Sequence, residues 1–159
     1  MTQNRLSRRA VLIGAIALMA ASSLSAQAQA AGPAIHVLKD PNCGCCTGWI
    51  EILETDGFAV TTEPSAGDQL TRYKSENGIP ATMASCHTGR VEGYMIEGHV
   101  PAADIRRLLK ERPDAIGLAV PGMPYGSPGM GPDAEREAYD VFLIARDGST
   151  TVFSHYDAA

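Results

Sequence analysis

The apolar run Ala34-Ile35-His36-Val37-Leu38 stops at Asp40-Pro41-Asn42, after which Trp49, Ile50, Ile52 and Leu53 recur at helical spacing up to Gly57. This predicts a strand, a turn and an amphipathic helix over residues 49–56. Pro41 is barred from a central ladder, and Gly57 is placed as the C-terminal cap. Phe58-Ala59-Val60-Thr61-Thr62 reads as a second strand, and residues 66–77 as a polar helix closed by Gly78. Two apolar stretches follow, residues 81–86 and 91–96, and Thr88-Gly89-Arg90 between them reads as a hairpin turn. Pro101 opens a helix over residues 102–111 with Ile105, Leu108 and Leu109 inward, and Pro113 lies just beyond it.

The opening order β-α-β-α favours a parallel sheet with helices laid against it, and the whole order, β-α-β-α-β-β-α, is that of thioredoxin-like α/β domains. In that fold Ile79-Pro80 falls where a cis-proline faces the first helix. Residues 120–132 form a Gly/Pro loop carrying Met123 and Met130, a composition that neither a helix nor a central strand accepts. Residues 139–145 and 150–156, joined through Asp147-Gly148, predict a closing β-hairpin. There is no internal repeat and no sign of a second domain.

The first thirty residues fit an export signal: Arg5, Arg8 and Arg9 precede an apolar run over residues 11–21, followed by small residues and two Ala-x-Ala sites. Cleavage is expected after Ala28 or Ala30, leaving a single domain over residues 31–159. Ser7-Arg8-Arg9-Ala10-Val11-Leu12 carries a twin-arginine pair, the address of an export route for folded proteins, although Val11 stands where that signal more often has Phe. The apolar run is too short for a permanent membrane anchor. The expected location is therefore the periplasm.

Removal of the signal leaves ten Lys and Arg against eighteen Asp and Glu, a formal net charge of −8. Such a chain is a poor partner for nucleic acid. About 130 residues bury a core without needing disulfides for stability.

Cys43-Gly44-Cys45-Cys46 stands where the first strand turns into the first helix, and the fourth cysteine is Cys86. Thiols at a helix N-terminus are acidified by unpaired N–H groups and the macrodipole, which suits them to soft metals or disulfide exchange. Cys43-x-x-Cys46 alone is a redox spacing, but Cys45 adds a competing disulfide partner. For a soft metal it adds a ligand. A bridge between neighbours Cys45 and Cys46 is strained, and the three clustered thiols supply at most one partner for Cys86, so full pairing as structural disulfides allows only one bridge to Cys86 and one inside the cluster.

Cys86-His87, taken as the end of the third strand, offers one soft and one borderline ligand. His99, on the connection into the last helix, is a further candidate. Met123 and Met130 have little packing reason to occupy a Gly/Pro loop, and thioethers prefer Cu(I). Met83 and Met95, in strands, read as core. His36 reads as a hydrogen-bonded core residue, and His155 has weaker claims still. Thiolates, imidazoles and thioethers together point to copper rather than zinc, with room for more than one ion. The competing reading is a thiol–disulfide oxidoreductase using Cys43 and Cys46.

The chain resembles the CopG-type copper-resistance family of exported, metal-binding bacterial proteins. The resemblance rests on Lys39-Asp40-Pro41-x-Cys43-Gly44-Cys45-Cys46-x-x-Trp49, Gly57-Phe58-x-Val60, Gly78-Ile79-Pro80 and Ser85-Cys86-His87-Thr88. It continues through Val91-Glu92-Gly93-Tyr94, Glu97-Gly98-His99-Val100-Pro101 and the run from Gly117 through Met123 to Met130. The resemblance implies a thioredoxin-like fold and periplasmic copper handling alongside other copper-handling proteins, with the matched cysteines as metal-binding residues. It does not fix the reaction, whether storage, transfer or redox cycling.

Overall fold

The computed structural model describes residues 32–159, so the expected export signal and both cleavage positions lie outside the described residues. Along the chain come β1 (Ala34–Lys39), α1 (Gly44–Thr55), β2 (Ala59–Pro64), α2 (Gly67–Glu76), β3 (His87–Val91) and β4 (Tyr94–Glu97). They are followed by α3 (Ala102–Glu111), β5 (Ala115–Ala119), β6 (Tyr139–Ala145) and β7 (Thr150–Tyr156). The fold is mixed α/β. Its seven strands form one sheet in the order β2-β1-β3-β4-β5-β6-β7. β1 and β2 pair in parallel, as do β4 and β5, and the other neighbours are antiparallel. No helix among the described residues is long and apolar enough to cross a membrane.

α1 begins at Gly44, earlier than the apolar spacing predicts, because its first turn is made of Gly and Cys and carries no periodic signal. The cysteine segment is thus part of the helix. Gly57 follows the last turn with φ 86°, the left-handed conformation of a C-terminal cap. α3 and the closing hairpin fall on their predicted residues.

The third strand differs from expectation. Residues 81–83 form a 3-10 turn, and Thr88-Gly89-Arg90 lies within β3. The reversal is made by Glu92-Gly93, with φ 45° and 91°, a two-residue loop in which both positions take the positive φ a type I′ turn requires. β5 was not legible in the sequence, since a five-residue strand of Ala, Ile, Gly, Leu and Ala has little β-branched content. Gly117 is there because β5 runs so close to Met95 of β4 that a Cβ would overlap its backbone. Pairing through β5 draws the closing hairpin into the same sheet. No peptide bond among the described residues is cis, so Ile79-Pro80 is trans, contrary to expectation.

In the main core cluster, Trp49, Ile50 and Leu53 of α1 and Ile105 and Leu108 of α3 pack with Ile35, Val37, Ile96 and Leu118 of the sheet. Trp49 is fully buried and its indole N–H donates to the Val100 carbonyl at 2.9 Å, which satisfies the one polar atom the ring brings inside. Met95 is buried in a second, smaller cluster against which Met83 packs.

A buried polar knot ties the elements together. The Lys74 ammonium on α2 pairs with the Glu97 carboxylate at the end of β4 and donates to Thr88 Oγ1 at 2.8 Å. Thr88 in turn donates to Glu97 at 2.6 Å, and so does the backbone N–H of Ser85. Burial raises the Glu97 carboxyl, and the Lys74 charge opposes that rise. Lys74→Met is expected to cost about 3–5 kcal/mol in denaturant unfolding near neutral pH, because a buried carboxylate loses its counter-charge. A carboxyl whose folded pKa is raised favours the folded state while protonated and loses that advantage as pH rises. The cost in Lys74→Met should therefore shrink toward pH 4 and grow toward pH 8.

Candidate metal centre

Cys43 is the N-cap of α1, with extended backbone at φ −78° and ψ 101° and no side chain capping the helix. The turn leading to it is held by Asp40, whose carbonyl accepts from the Cys43 N–H at 3.1 Å and whose carboxylate accepts from the Asn42 N–H at 2.8 Å. Cys45 and Cys46 therefore sit in the first helical turn, among N–H groups that have no intrahelical partner.

Cys86 reaches this turn from the other direction. It precedes β3 instead of ending the third strand, and the antiparallel pairing of β1 with β3 sets His87 opposite Lys39, the last residue of β1. The start of β3 and the end of β1 lie at the same end of the sheet. Had Cys86 ended an antiparallel third strand, it would have lain at the far end of β1.

The four cysteine sulfurs lie within 4.8 Å of one another, and Cys86 with His87 and His99 forms a second group within the same limit. Cys86 belongs to both. Cys43 and Cys46 are paired as a disulfide with Cα atoms 5.4 Å apart, while Cys45 and Cys86 are free. Cys45 Sγ stands 3.3 Å from Cys43 Sγ. Full pairing into two structural bridges is thus absent from the described residues. Cys46 and both histidines are buried, while Cys43, Cys45 and Cys86 are half-buried.

Cys86 Sγ is 3.2 Å from His87 Nδ1 and 3.1 Å from His99 Nε2. His99 Nδ1 lies 2.8 Å from the Pro128 carbonyl, which can only accept, so its proton is on Nδ1 and the Nε2 lone pair faces the sulfur. The His87 ring lies against Trp49 and edge-on to His99, at centroid distances of 4.3 and 5.1 Å, and its Nε2 is buried without a partner. Burial holds His87 well below the usual imidazole range, with His99 and Lys74 adding to the effect. Burial also lowers His99. Both rings are neutral, the form that ligates metals.

The Cys86 thiol is pushed up to about 11, first by burial and then by the nearby Cys45. The Cys86 sulfur thus lies within hydrogen-bond reach of two imidazole nitrogens, and in either tautomer His87 keeps a buried nitrogen without a partner. An ion bound at that sulfur would be within reach of both rings. The donor set fits a soft or borderline metal.

The loop carrying Met123 and Met130 touches the site through its backbone. Pro128 accepts from His99, the Gly122 carbonyl accepts from Ser85 Oγ, and Gly129 lies so close to α1 that a Cβ would stand 2.5 Å from Trp49 N and 2.8 Å from Cys45 O. The Met123 side chain is exposed and Met130 is half-buried. The fold thus brings Cys43, Cys45, Cys46, Cys86, His87 and His99 together, with the methionine loop over them. His36 is not in the core: it is hydrogen-bonded to Thr61 at 3.0 Å and Glu63 at 3.2 Å, with its side chain 44% exposed. His155 is exposed and pairs with Asp140.

Sequence reasoning missed the groups that hold the ligands. Glu97 fixes the segment before Cys86, Lys74 balances Glu97, and Pro128 sets the His99 tautomer. A lysine spaced inward on a polar helix was the one available hint.

The family described as "Protein of unknown function, DUF411" matches residues 83–130, the stretch that holds Cys86, His87, His99 and both loop methionines. No curated protein matches the chain. Two solved structures do, both of copper resistance protein CopG. Form 1 is 49% identical with a TM-score of 0.74, and the match covers 79% of this chain and 98% of that one. Form 2 is also 49% identical, with a TM-score of 0.71 and coverage of 78% and 98%. Identity at that level across almost the whole of the solved proteins, over a shared fold, places the chain in the CopG family of copper-resistance proteins.

Proposed function

We propose that this chain is an exported periplasmic protein of copper resistance that holds Cu(I) through Cys43, Cys45, Cys46 and Cys86, completed by His87 and His99. The observation that carries the reading is Cys86, whose sulfur stands between two neutral imidazoles at the corner shared with the triple-cysteine turn. Copper is the cargo. Thiolate and imidazole form a soft set that favours Cu(I), and sulfurs this close can bridge more than one ion. Met123 and Met130 serve as lid or first-contact ligands. The reading includes a thioredoxin-like frame for the first four strands, a signal over residues 1–30 of twin-arginine type, and exchange of copper with other periplasmic copper-handling proteins. Redox cycling of the bound ion requires a partner that supplies electrons.

The Cys43–Cys46 disulfide favours one alternative, a thiol–disulfide oxidoreductase built on the same helix start. Reduction of insulin by the metal-free protein, abolished in Cys43→Ser, is the outcome that selects it.

In competition titrations of the reduced protein against a Cu(I) chelator, Cys43→Ser and Cys86→Ser should each weaken binding at least about tenfold, as the loss of a first ligand requires. Unchanged affinity in both sinks the copper reading. His99→Ala should weaken binding as well, and Met123→Ala/Met130→Ala should slow uptake more than it lowers affinity.

Uptake also has a proton signature. With Cys86 pushed up to about 11, its thiol is protonated at neutral pH and must release the proton to bind. Apparent Cu(I) affinity should accordingly rise with pH by about tenfold per unit for this one proton between pH 6.5 and 9. The increment should be missing in Cys86→Ser.

A further inference from the structure

A cavity of about 420 Å³ opens beside the cluster between α2 and the cysteine turn, and its walls include Asn42, Cys43, Gly67, Thr71, Ser85 and Cys86. Of the bridged pair only Cys43 lines it. Cys46 is fully buried, on the core-facing side of α1. The disulfide is thus reachable from this space at one sulfur only. Attack from this space therefore falls on Cys43 and makes Cys46 the leaving sulfur. The volume is that of a small-molecule site.

We infer that this cavity is a docking site for a low-molecular-weight thiol, which opens the Cys43–Cys46 disulfide at Cys43 and so readies the cluster for copper. A thiolate of the ligand bonds to Cys43 Sγ, the Cys43–Cys46 bond breaks, and the electron pair leaves on Cys46 Sγ. A second ligand thiolate then attacks the ligand sulfur of the mixed disulfide and releases Cys43 as thiolate. In sum, two ligand thiols become one ligand disulfide and the protein disulfide becomes two thiols, a two-electron exchange. The inference rests on the copper reading for its purpose but not for its chemistry. Cys45, whose sulfur is 3.3 Å from Cys43, stays free throughout as a ligand in waiting.

The probe is glutathione, applied to the oxidised metal-free protein and stopped by acid before alkylation and mass mapping. The adduct is expected on Cys43; an adduct confined to Cys45, Cys46 or Cys86 overturns the inference. Thr71→Trp, an exposed α2 position that fills the cavity, should slow disulfide opening by glutathione at least tenfold. Ile52→Trp, on α1 away from this cavity, should change it less than twofold. A Thr71→Trp protein that is slowed toward a dithiol protein but not toward glutathione assigns the groove to a protein partner and also overturns the inference. Phosphine-reduced Thr71→Trp should bind Cu(I) as the parent does. If the reduced parent takes up no Cu(I), the copper reading falls while the thiol site is judged on the mapping and rates alone.

Discussion

The buried Glu97 carboxylate is the constraint on which the rest depends. It is fully buried, ends β4, and accepts from α2 through Lys74, from β3 through Thr88 and from the N–H of Ser85. Three segments that meet nowhere else in sequence are tied at one point, and the residue after Ser85 is Cys86. A buried charge of this kind adds little net stability over an apolar replacement, but removing one partner is costly. Its value lies in position: hydrogen bonds have direction, and apolar contact alone would not hold the Cys86 backbone to one place.

The site around Cys86 follows from two strand ends meeting. β1 ends at the cysteine turn, and β3, running antiparallel to it, begins there. β4 returns beside β3 and delivers His99 through the turn that follows Glu97. The loop over residues 120–132 then closes the site, with Pro128 holding one imidazole proton so that the other nitrogen is free for the sulfur. Burial keeps both imidazoles neutral and the thiol protonated. The result is a sulfur and two neutral imidazoles gathered at one point, a donor set that could hold a metal ion. The disulfide at the helix start sets a further condition, because two of the four sulfurs are free thiols only after two electrons arrive.

Much of this was legible in the chain. The α3 boundaries, the closing hairpin, the cap at Gly57 and the gathering of cysteines at a helix start follow from spacing, from Pro and Gly, and from the rule that helices begin with unpaired N–H groups. The third strand was misplaced because Ala81 to Cys86 is apolar enough to pass for a strand, and Glu92-Gly93 is a less obvious turn than Thr88-Gly89-Arg90. β5 went unread because Gly117 dilutes it, and that glycine is there for a neighbouring strand's backbone. His36 reads as core by its neighbours, yet period-two alternation turns it to the exposed face.

Residue chemistry and short-range periodicity alone determined the donor types, the placing of three cysteines at a helix start and the α/β character of the domain, because these depend on groups a few positions apart. Which sulfurs face which imidazoles was decided by the tertiary structure. Strand direction set Cys86 beside the triple-cysteine turn, and Lys74, Glu97 and Pro128 fixed backbone and tautomer from segments far away in the chain. Such pairings are between residues 20 or more positions apart in two of these three cases, and no local pattern records them, since each becomes favourable only after water has been excluded around it.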